Sequence, residues 1–292
     1  MKDEIKMTIS RKYLVVGLAR DCAGNLRSDI ERIKHCLGQG NHIQWLIVES
    51  DSEDDTVSIL GRLRSEISEF TFVSLGPIRK SFPLRTARLA YCRNLYIEAL
   101  GRDSRYRDVE YVVITDLDGT NSSLTANSIE SCWARDDWDV CFANQDGPYY
   151  DIWALRHEKW SPDDCHEKYQ QYINQNYPHW KAYYHSIYKR MITVDQSASW
   201  IEVESAFGGL AIYKRKVLEN TQYVGLTAEN REICEHVSVN KQIKEKGYRL
   251  FLNPRLINTS ITTHYLLATI KLLVLFLKDI TLISRFNRSF LK

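Results

Sequence analysis

The first part of the chain alternates between short apolar runs and segments with a helical repeat. Continuous apolar runs, typical of strands buried on both faces, lie at Tyr13–Ala19, Gln44–Val48, Phe70–Leu75 and Glu110–Thr115. Between them, apolar residues three or four positions apart predict helices over Leu26–Leu37, Val57–Ile67 and about Leu84–Leu100. Strands that alternate with helices through short connections predict an α/β fold with a parallel, doubly wound sheet.

The pattern changes after Asn144. Twelve Tyr and Trp residues fall between Tyr149 and Trp200, a local density about twice the chain's aromatic share of 11%. A strand signal returns at Gly208–Tyr213, a helix is predicted from about Glu229 to Lys246, and Tyr248–Leu252 forms the last predicted strand. With no linker or low-complexity tract between them, the two parts are expected to share one core.

Composition excludes several classes of protein. A hydrophobic share of 44% and a charged share of 26% in 292 residues are ordinary globular values, which excludes disordered, collagen-like and coiled-coil chains. The net charge of +2 argues against nucleic acid as a partner. Seven scattered cysteines with no Cys-x-x-Cys pair suit a reducing compartment, so we expect a cytoplasmic protein.

Charged residues cluster where the predicted strands end. Ligands of doubly wound sheets bind outside the carboxyl ends of the strands. The residues expected to gather there are Arg20, Glu49, Asp51, Asp116 and Asp118. This edge of the sheet is therefore the predicted site.

Asp116-Leu-Asp118 allows two chemical interpretations. Two carboxylates at this spacing can hold Mn²⁺ or Mg²⁺ and bridge it to the diphosphate of a nucleotide-sugar. Alternatively, Asp116-Leu-Asp-Gly-Thr120 matches the nucleophile motif of haloacid-dehalogenase-type phosphatases, with Asp116 as nucleophile. That family opens its core domain with this strand, whereas three predicted strands precede it here. A third possibility is that both residues only end a strand and cap the next helix.

Upstream residues favour the nucleotide-sugar interpretation. Glu49 and Asp51 offer acids for the base or ribose. Arg88 and Arg93 flank the apolar stripe of the helix before the Asp-x-Asp strand, and they offer cations for the diphosphate.

These motifs, in this order, resemble GT-A glycosyltransferases, and more narrowly the capsule-associated α-mannosyltransferases of fungi and their bacterial relatives. The residues that carry the resemblance are Arg20, Glu49–Thr56, Arg88–Asn94, Asp116–Asp118, Tyr149–Arg156, Ser205–Tyr213 and Cys234-Glu-His236. It covers about Tyr13 to Pro254. The resemblance implies a GT-A fold with residues 1–145 as a nucleotide-sugar-binding half and residues 146–262 as an aromatic-rich acceptor-binding half.

The resemblance also implies roles for single residues. Asp116 and Asp118 would hold the metal, with His264 as third ligand, while Arg20, Glu49, Asp51, Arg88 and Arg93 would bind a GDP- or UDP-linked donor. Tyr150, Asp151, Trp153, Gly208 and Gly209 would contact acceptor and sugar. Glu235 and His236 are the catalytic candidates. His236 stands where many inverting enzymes carry an acidic base, whereas the narrower family is retaining; stereochemistry stays open, with retention favoured. The other alternative is a non-catalytic sugar-binding relative.

The C-terminal segment has a different charge from the rest. Residues 263–292 contain five basic residues and one acidic residue, a net charge of +4. Lys271, Lys278, Arg285 and Lys292 recur every seven residues among Leu, Ile and Phe, which predicts a basic amphipathic helix on an anionic membrane surface. The charged residues interrupt any membrane span. Together these features predict a hexosyltransferase at the inner face of a membrane, building capsule or lipopolysaccharide on a glycan or lipid-linked acceptor.

Overall fold

A computed structural model describes residues 10–38 and 40–289, with side chains described up to residue 280. In this part of the chain, eight strands form one sheet in the order β3-β2-β1-β4-β7-β5-β8-β6. The strands are β1 Lys12–Ala19, β2 His42–Glu49, β3 Phe70–Ser74, β4 Tyr111–Asp116, β5 Val140–Gln145, β6 Ile201–Glu202, β7 Leu210–Lys214 and β8 Leu250–Thr259. Pairing is parallel from β3 to β4 and between β5 and β8, while β7 and β6 run antiparallel to their neighbours. The predicted α/β fold with a mostly parallel sheet is confirmed.

Helices cover both faces of this sheet. They are α1 Ala23–Leu37, α2 Thr56–Glu66, α3 Arg85–Arg102, α4 Ala126–Glu130, α5 Cys165–Asn174, α6 His179–Ser186, α7 Glu235–Glu245 and α8 Thr263–Ser289. One hydrophobic cluster includes Leu26 and Ile30 of α1, and the other includes Tyr96 of α3 and Val239 of α7. The alternating strands bury residues on both faces, as their continuous apolar runs indicate.

The second part of the chain differs from the sequence prediction in several elements. Helix α7 begins at Glu235 and not near Glu229, because Leu226 and Glu232 form a β-bridge in the preceding loop. Strand β8 continues through Pro254 to Thr259, where its pairing with β5 shifts register and so tolerates a residue without an N–H group. The structure also contains strands β5 and β6 and helices α5 and α6, which the sequence pattern does not predict.

Helix α8 packs on the body along one face. Its Ala268 is buried, Leu272 and Leu275 pack against the core, and Phe276 meets Trp180 of α6 edge-on with ring centroids 5.4 Å apart. The described helices include none long and apolar enough to cross a membrane. The predicted helix is therefore present, but it is docked rather than separate.

The predicted basic face of α8 stays a prediction. Lys271 and Lys278 are exposed, and Lys271 Nζ lies 4.8 Å from the ring centroid of Tyr183 on α6. Eight large apolar side chains of α8 are also exposed: Leu266, Leu267, Ile270, Leu273, Val274, Phe276, Leu277 and Ile280. The side chains of Arg285, Arg288 and Lys292 lie outside the described residues. Within the described residues, the outward surface of this helix is mainly apolar.

Candidate active site

A cavity of about 700 Å³ opens at the carboxyl ends of β1 and β4. One group of lining residues, which we call the cavity floor, is centred on the ion pairs of Arg93 and consists of Asp116, Asp118, Asp151, Arg93 and Glu235. A second group, which we call the α8 wall, includes the contact between Lys271 and Tyr183 and consists of Tyr183, Ile187, Met191, Leu267 and Lys271. The predicted edge of the sheet therefore holds a cavity with two chemically different sides.

The Asp-x-Asp pair lies at the end of β4, as predicted. Burial, together with the neighbouring carboxylates of Asp118, Asp151 and Glu235, raises the pKa of Asp116 to about 7, although Arg93 opposes the shift. Asp118 is exposed, and its Oδ1 accepts a hydrogen bond from the Thr120 hydroxyl. The floor thus holds more negative charge than its one buried arginine balances.

Arg93 connects the two elements of the floor. Its Nε donates a 3.0 Å hydrogen bond to Glu235 Oε1 on α7, and its Nη2 lies 4.0 Å from Asp116 Oδ1 on β4. Burial alone would lower the pKa of Arg93, but Tyr96, Glu235 and Asp116 hold it well above its ordinary value. Arg93 therefore fixes Glu235 against the strand end, and its buried Nη1 has no hydrogen-bond partner in the described chain.

His236 lines the cavity but is packed as an aromatic residue. Its ring stacks on Phe207 with centroids 3.8 Å apart, and Tyr223 meets it edge-on. Both ring nitrogens are buried without a hydrogen-bond partner among the described residues, and Nε2 lies 3.8 Å from Glu235 Oε1. Burial, helped by Arg93, lowers the pKa of His236 well below its usual range. The ring is therefore neutral, and its role as a catalytic base stays a prediction.

The structure does not bring Glu49 and Asp51 into the cavity lining. Glu49 is 1% exposed, and its carboxylate accepts hydrogen bonds from the Ser52 amide and the Ser74 hydroxyl. Asp51 accepts a hydrogen bond from the Arg79 amide and lies 3.7 Å from Arg88 Nε. These carboxylates hold loops around the site, so their predicted contact with the nucleoside stays untested.

Arg20 and Arg88 both line the cavity. Arg20 is exposed and forms a 3.3 Å ion pair with Asp21. Arg88 is largely buried, and its Nη1 donates to the carbonyl oxygens of Phe82 and Pro83. Arg20 therefore has more freedom to meet a ligand than Arg88.

The predicted acceptor residues fall into two groups. Tyr150, Asp151 and Trp153 line the cavity, and the Trp153 indole donates to Asp164 Oδ2 at 2.9 Å. Burial raises the pKa of Asp151, which accepts a 3.1 Å hydrogen bond from the Gly208 amide. The amide of Asp116 donates to the Gly209 carbonyl oxygen at 2.9 Å. The two glycines lie outside the cavity lining, and their backbone groups position Asp116 and Asp151 through these hydrogen bonds.

The donor set for a metal is incomplete within the protein. Across the described residues, no three His, Cys, Asp or Glu side chains converge closely enough to hold a metal ion. His264 lines the cavity, but its ring stacks on Tyr150 at a centroid distance of 5.2 Å. Asp116 and Asp118 fit a divalent cation, because a cation would offset the excess negative charge that raises the Asp116 pKa. The remaining ligands would be phosphate oxygens and water, and His264 as a ligand stays a prediction.

Several cavity residues have no functional prediction from the sequence. They are Cys165, His166, Tyr183, Ile187 and Met191. They belong to α5, α6 and the segment after α6, where the sequence signal is a high aromatic density. The charge pattern predicts a membrane-facing position for Lys271, whereas the structure also places this residue in the cavity lining.

No protein-family profile matches the sequence, and no curated protein matches it. Among solved structures, it is similar to the mannosyltransferase PcManGT from Pyrobaculum calidifontis in complex with GDP-Man and Mn²⁺, with 16% identity, a TM-score of 0.48, and coverage of 86% of this chain and 57% of that one. It is similar to S. aureus TarS 1-349, with 11% identity, a TM-score of 0.46 and coverage of 91% and 65%. It is also similar to glucosyl-3-phosphoglycerate synthase from Mycobacterium tuberculosis with UDP, with 14% identity, a TM-score of 0.36 and coverage of 86% and 69%.

The chain spans less than two thirds of the length of the first two of these proteins. All three similarities have TM-scores below 0.5. They therefore carry no argument about activity, and the functional assignment depends on the site residues.

Proposed function

We propose that this protein is a GT-A-type, metal-dependent glycosyltransferase that moves a hexose from a GDP- or UDP-linked donor to a hydroxyl group of a glycan or lipid-linked acceptor. The observation that carries the proposal is the cavity floor. It places the Asp-x-Asp pair beside Asp151 and Glu235, with Arg93 as the buried cation among them. Such a site can accept a cation together with an anionic donor.

The residues of the floor have separate tasks in this proposal. Asp116 and Asp118 would hold Mn²⁺ or Mg²⁺, which when bound neutralises the charge of a departing diphosphate. Arg93 holds Glu235 in place through a hydrogen bond, and Glu235 would act on the sugar. The buried nitrogens of His236 support transfer with retention of configuration, which needs no base at that position.

The two alternatives fit the residues less well. A phosphatase would use Asp116 as nucleophile, but three parallel strands precede β4 in the chain. A non-catalytic sugar-binding protein would not require a buried ion pair between Arg93 and Glu235 at the base of the cavity. Transfer of a sugar would give each of these groups a role. A role in capsule or lipopolysaccharide synthesis remains part of the proposal.

The proposal can be tested by thermal unfolding with GDP or UDP, with and without Mn²⁺. A nucleoside diphosphate at about 100 times its dissociation constant stabilises the folded protein by about 2.7 kcal/mol. We expect stabilisation that requires Mn²⁺ and disappears in Asp118→Ala. The matched control is Asp108→Asn, an exposed carboxylate in a distant 3.7 Å ion pair with Lys12. No stabilisation by either nucleotide, or metal-independent stabilisation that survives Asp118→Ala, would contradict the proposal.

The exposed apolar face of α8 supports peripheral binding to an anionic membrane at the cytoplasmic face. Leu266, Ile270, Leu273 and Leu277 are each between 51% and 58% exposed. The tail as a whole carries a net charge of +4. Apolar side chains that enter the headgroup region and nearby basic residues both favour such binding.

Liposome flotation tests this part of the proposal. We expect the full chain to float with vesicles that contain anionic lipid, and Leu273→Glu with Leu277→Glu to reduce the bound fraction. The control is Val57→Glu, an exposed apolar residue of α2. Equal flotation of the α8 variant and the control would refute membrane binding through this face.

A further inference from the structure

One face of α8 belongs to the cavity. His264, Leu267, Ala268 and Lys271 all line it, and their spacing of three, one and three residues places them on the same side of a helix. The exposed apolar side chains of the helix lie around the rest of its surface. Leu267 belongs to both surfaces, since it lines the cavity and is 57% exposed. The helix thus connects the cavity to an apolar outer surface.

Lys271 brings positive charge to a cavity whose floor is acidic. Its ammonium group lies over the face of Tyr183, 4.8 Å from the ring centroid. No carboxylate of the described residues lies within ion-pair distance of its Nζ. A cation over an aromatic face keeps its N–H groups available to an anion. Lys271 is therefore positioned to hold a negatively charged group of a ligand.

The surroundings of Lys271 are mainly apolar. Tyr183, Ile187 and Met191 line the same wall, and Leu267 lies one helical turn before Lys271. The nearby polar groups in the lining are the rings of His166 and His264. A free sugar would be recognised by several polar side chains, whereas this wall offers mainly hydrocarbon and one cation. An amphiphile with a phosphate beside a hydrocarbon chain matches both features.

We propose that Lys271 binds the phosphate of a lipid-linked acceptor, whose hydrocarbon chain leaves the cavity past Leu267 toward the exposed face of α8 and whose glycan hydroxyl group accepts the sugar. This inference rests on the proposed glycosyltransferase function and names its acceptor class. The shared chemistry is a phosphate ester, which a lipid or a small soluble molecule could supply. The apolar path past Leu267 favours the lipid.

Direct binding measurements on the full chain test this assignment. The probes are farnesyl phosphate, uncharged farnesol and glycerol 3-phosphate, each titrated by calorimetry in detergent-free buffer. We expect farnesyl phosphate to bind at least about tenfold more tightly than either other probe, because only it offers both an anion and a hydrocarbon chain.

Variants then test the role of Lys271. We expect Lys271→Glu to weaken farnesyl phosphate binding by about tenfold or more, and Lys271→Arg to keep it within about threefold. The matched control is Lys181→Glu, because Lys181 of α6 also lies over a tyrosine ring, at 5.5 Å from the Tyr177 centroid, without lining the cavity. Thermal midpoints establish that each variant is folded.

Each other result would overturn the assignment in a specific way. If farnesol binds as tightly as farnesyl phosphate, the site does not recognise the phosphate. If glycerol 3-phosphate binds as tightly, the site does not recognise the hydrocarbon chain. If Lys271→Glu binds farnesyl phosphate as tightly as the wild type, Lys271 does not bind the phosphate. Weaker Mn²⁺-dependent binding of GDP or UDP in that variant would assign Lys271 to the donor instead. If wild-type protein binds neither nucleotide, the proposed function fails separately, while the farnesyl phosphate result still decides about Lys271.

Discussion

The cavity floor and the α8 wall line the same cavity but differ in how their charged side chains are stabilised. On the floor, the central charged groups Arg93 and Glu235 are buried, and Arg93 is held by Glu235 and Asp116. On the wall, the charged group Lys271 is exposed and rests on an aromatic ring, while apolar side chains fill the space around it. Loss of one member therefore leaves an unpaired buried charge on the floor, but only a smaller contact surface on the wall.

The largest expected effect on the free energy of unfolding comes from replacing Arg93, the central cation of the floor. Arg93→Met leaves Glu235 buried beside Asp116 with no ion-pair partner. Loss of one partner of a buried ion pair costs about 3–5 kcal/mol, so we expect urea unfolding to report a loss of this size. As a control, Arg102→Met removes an exposed partner of Glu98 and should cost less than about 0.5 kcal/mol.

A second variant separates charge from packing. If the cost of Arg93→Met reflects an uncompensated carboxylate, then adding Glu235→Gln should recover part of it. A double variant that loses the full sum of both single effects would show that the two residues are not coupled. The stability of the floor would then depend on packing contacts rather than on paired charges, as we expect for the wall.

A smaller loss of folding stability is expected from a substitution at Gly209, whose backbone contacts Asp116 of the cavity floor. Gly209 has φ of +86°, and a Cβ there would lie 2.4 Å from Thr120 Cγ2. Gly209→Ala should therefore cost about 1–3 kcal/mol, measured by urea unfolding, and weaken Mn²⁺-dependent nucleotide binding. The control is Gly101→Ala in α3, where the added Cβ meets nothing within 4 Å. Equal stability of the two variants would show that the Gly209 backbone can move freely.

The titration of Asp116 should make the stability of the floor depend on pH. Because burial raises the pKa of Asp116 to about 7, the native state keeps a proton that the unfolded state releases near pH 4. This group therefore makes the metal-free protein less stable as pH rises between these values. Mn²⁺ competes with the proton, so its stabilising effect should be larger at about pH 8 than at about pH 6.

Thermal midpoints of wild type and Asp116→Asn, with and without MnCl₂ across this pH range, measure both effects. In Asp116→Asn the contribution of this carboxyl should be absent from both profiles. Identical profiles for the two proteins would contradict the pKa assignment.

The smallest effects are expected on α8, where two adjacent leucines provide a comparison. Leu272 packs against the core, whereas Leu273 is 58% exposed. Leu272→Ser should cost about 1–2 kcal/mol, and Leu273→Ser should change stability by less than about 0.5 kcal/mol. Urea unfolding of both variants checks the difference. Equal effects would mean that α8 does not pack on α6 in solution as described.

The contrast between floor and wall also separates what could be predicted from sequence. Asp116 and Asp118 follow a continuous apolar run, so their place at a strand end depends only on local pattern. The wall depends on how α6 and α8 dock, and residues of these helices meet only through tertiary packing. No local pattern could place Lys271 over Tyr183.

The missed elements have similar causes. Strand β5 contains Cys, Ala, Asn and Gln, and its burial comes from its central place between β7 and β8 rather than from its own hydrophobicity. Glu49 is a case in which a site residue is predicted but does not line the cavity. The sequence pattern treats it like Asp116, because both residues stand at the end of a strand. Its carboxylate is occupied by Ser52 and Ser74, and the partners in the adjoining loop and strand could not be inferred from the acid itself.

The position of β7 has a consequence for how the chain assembles during synthesis. Strand β7 lies antiparallel between β4 and β5, although the chain passes through α5, α6 and β6 before reaching it. Until β7 leaves the ribosome, β4 has an open edge and β5 has no partner on that side. The N-terminal part therefore cannot finish folding alone, and a nascent chain halted near residue 145 would expose strand edges to aggregation or to a chaperone.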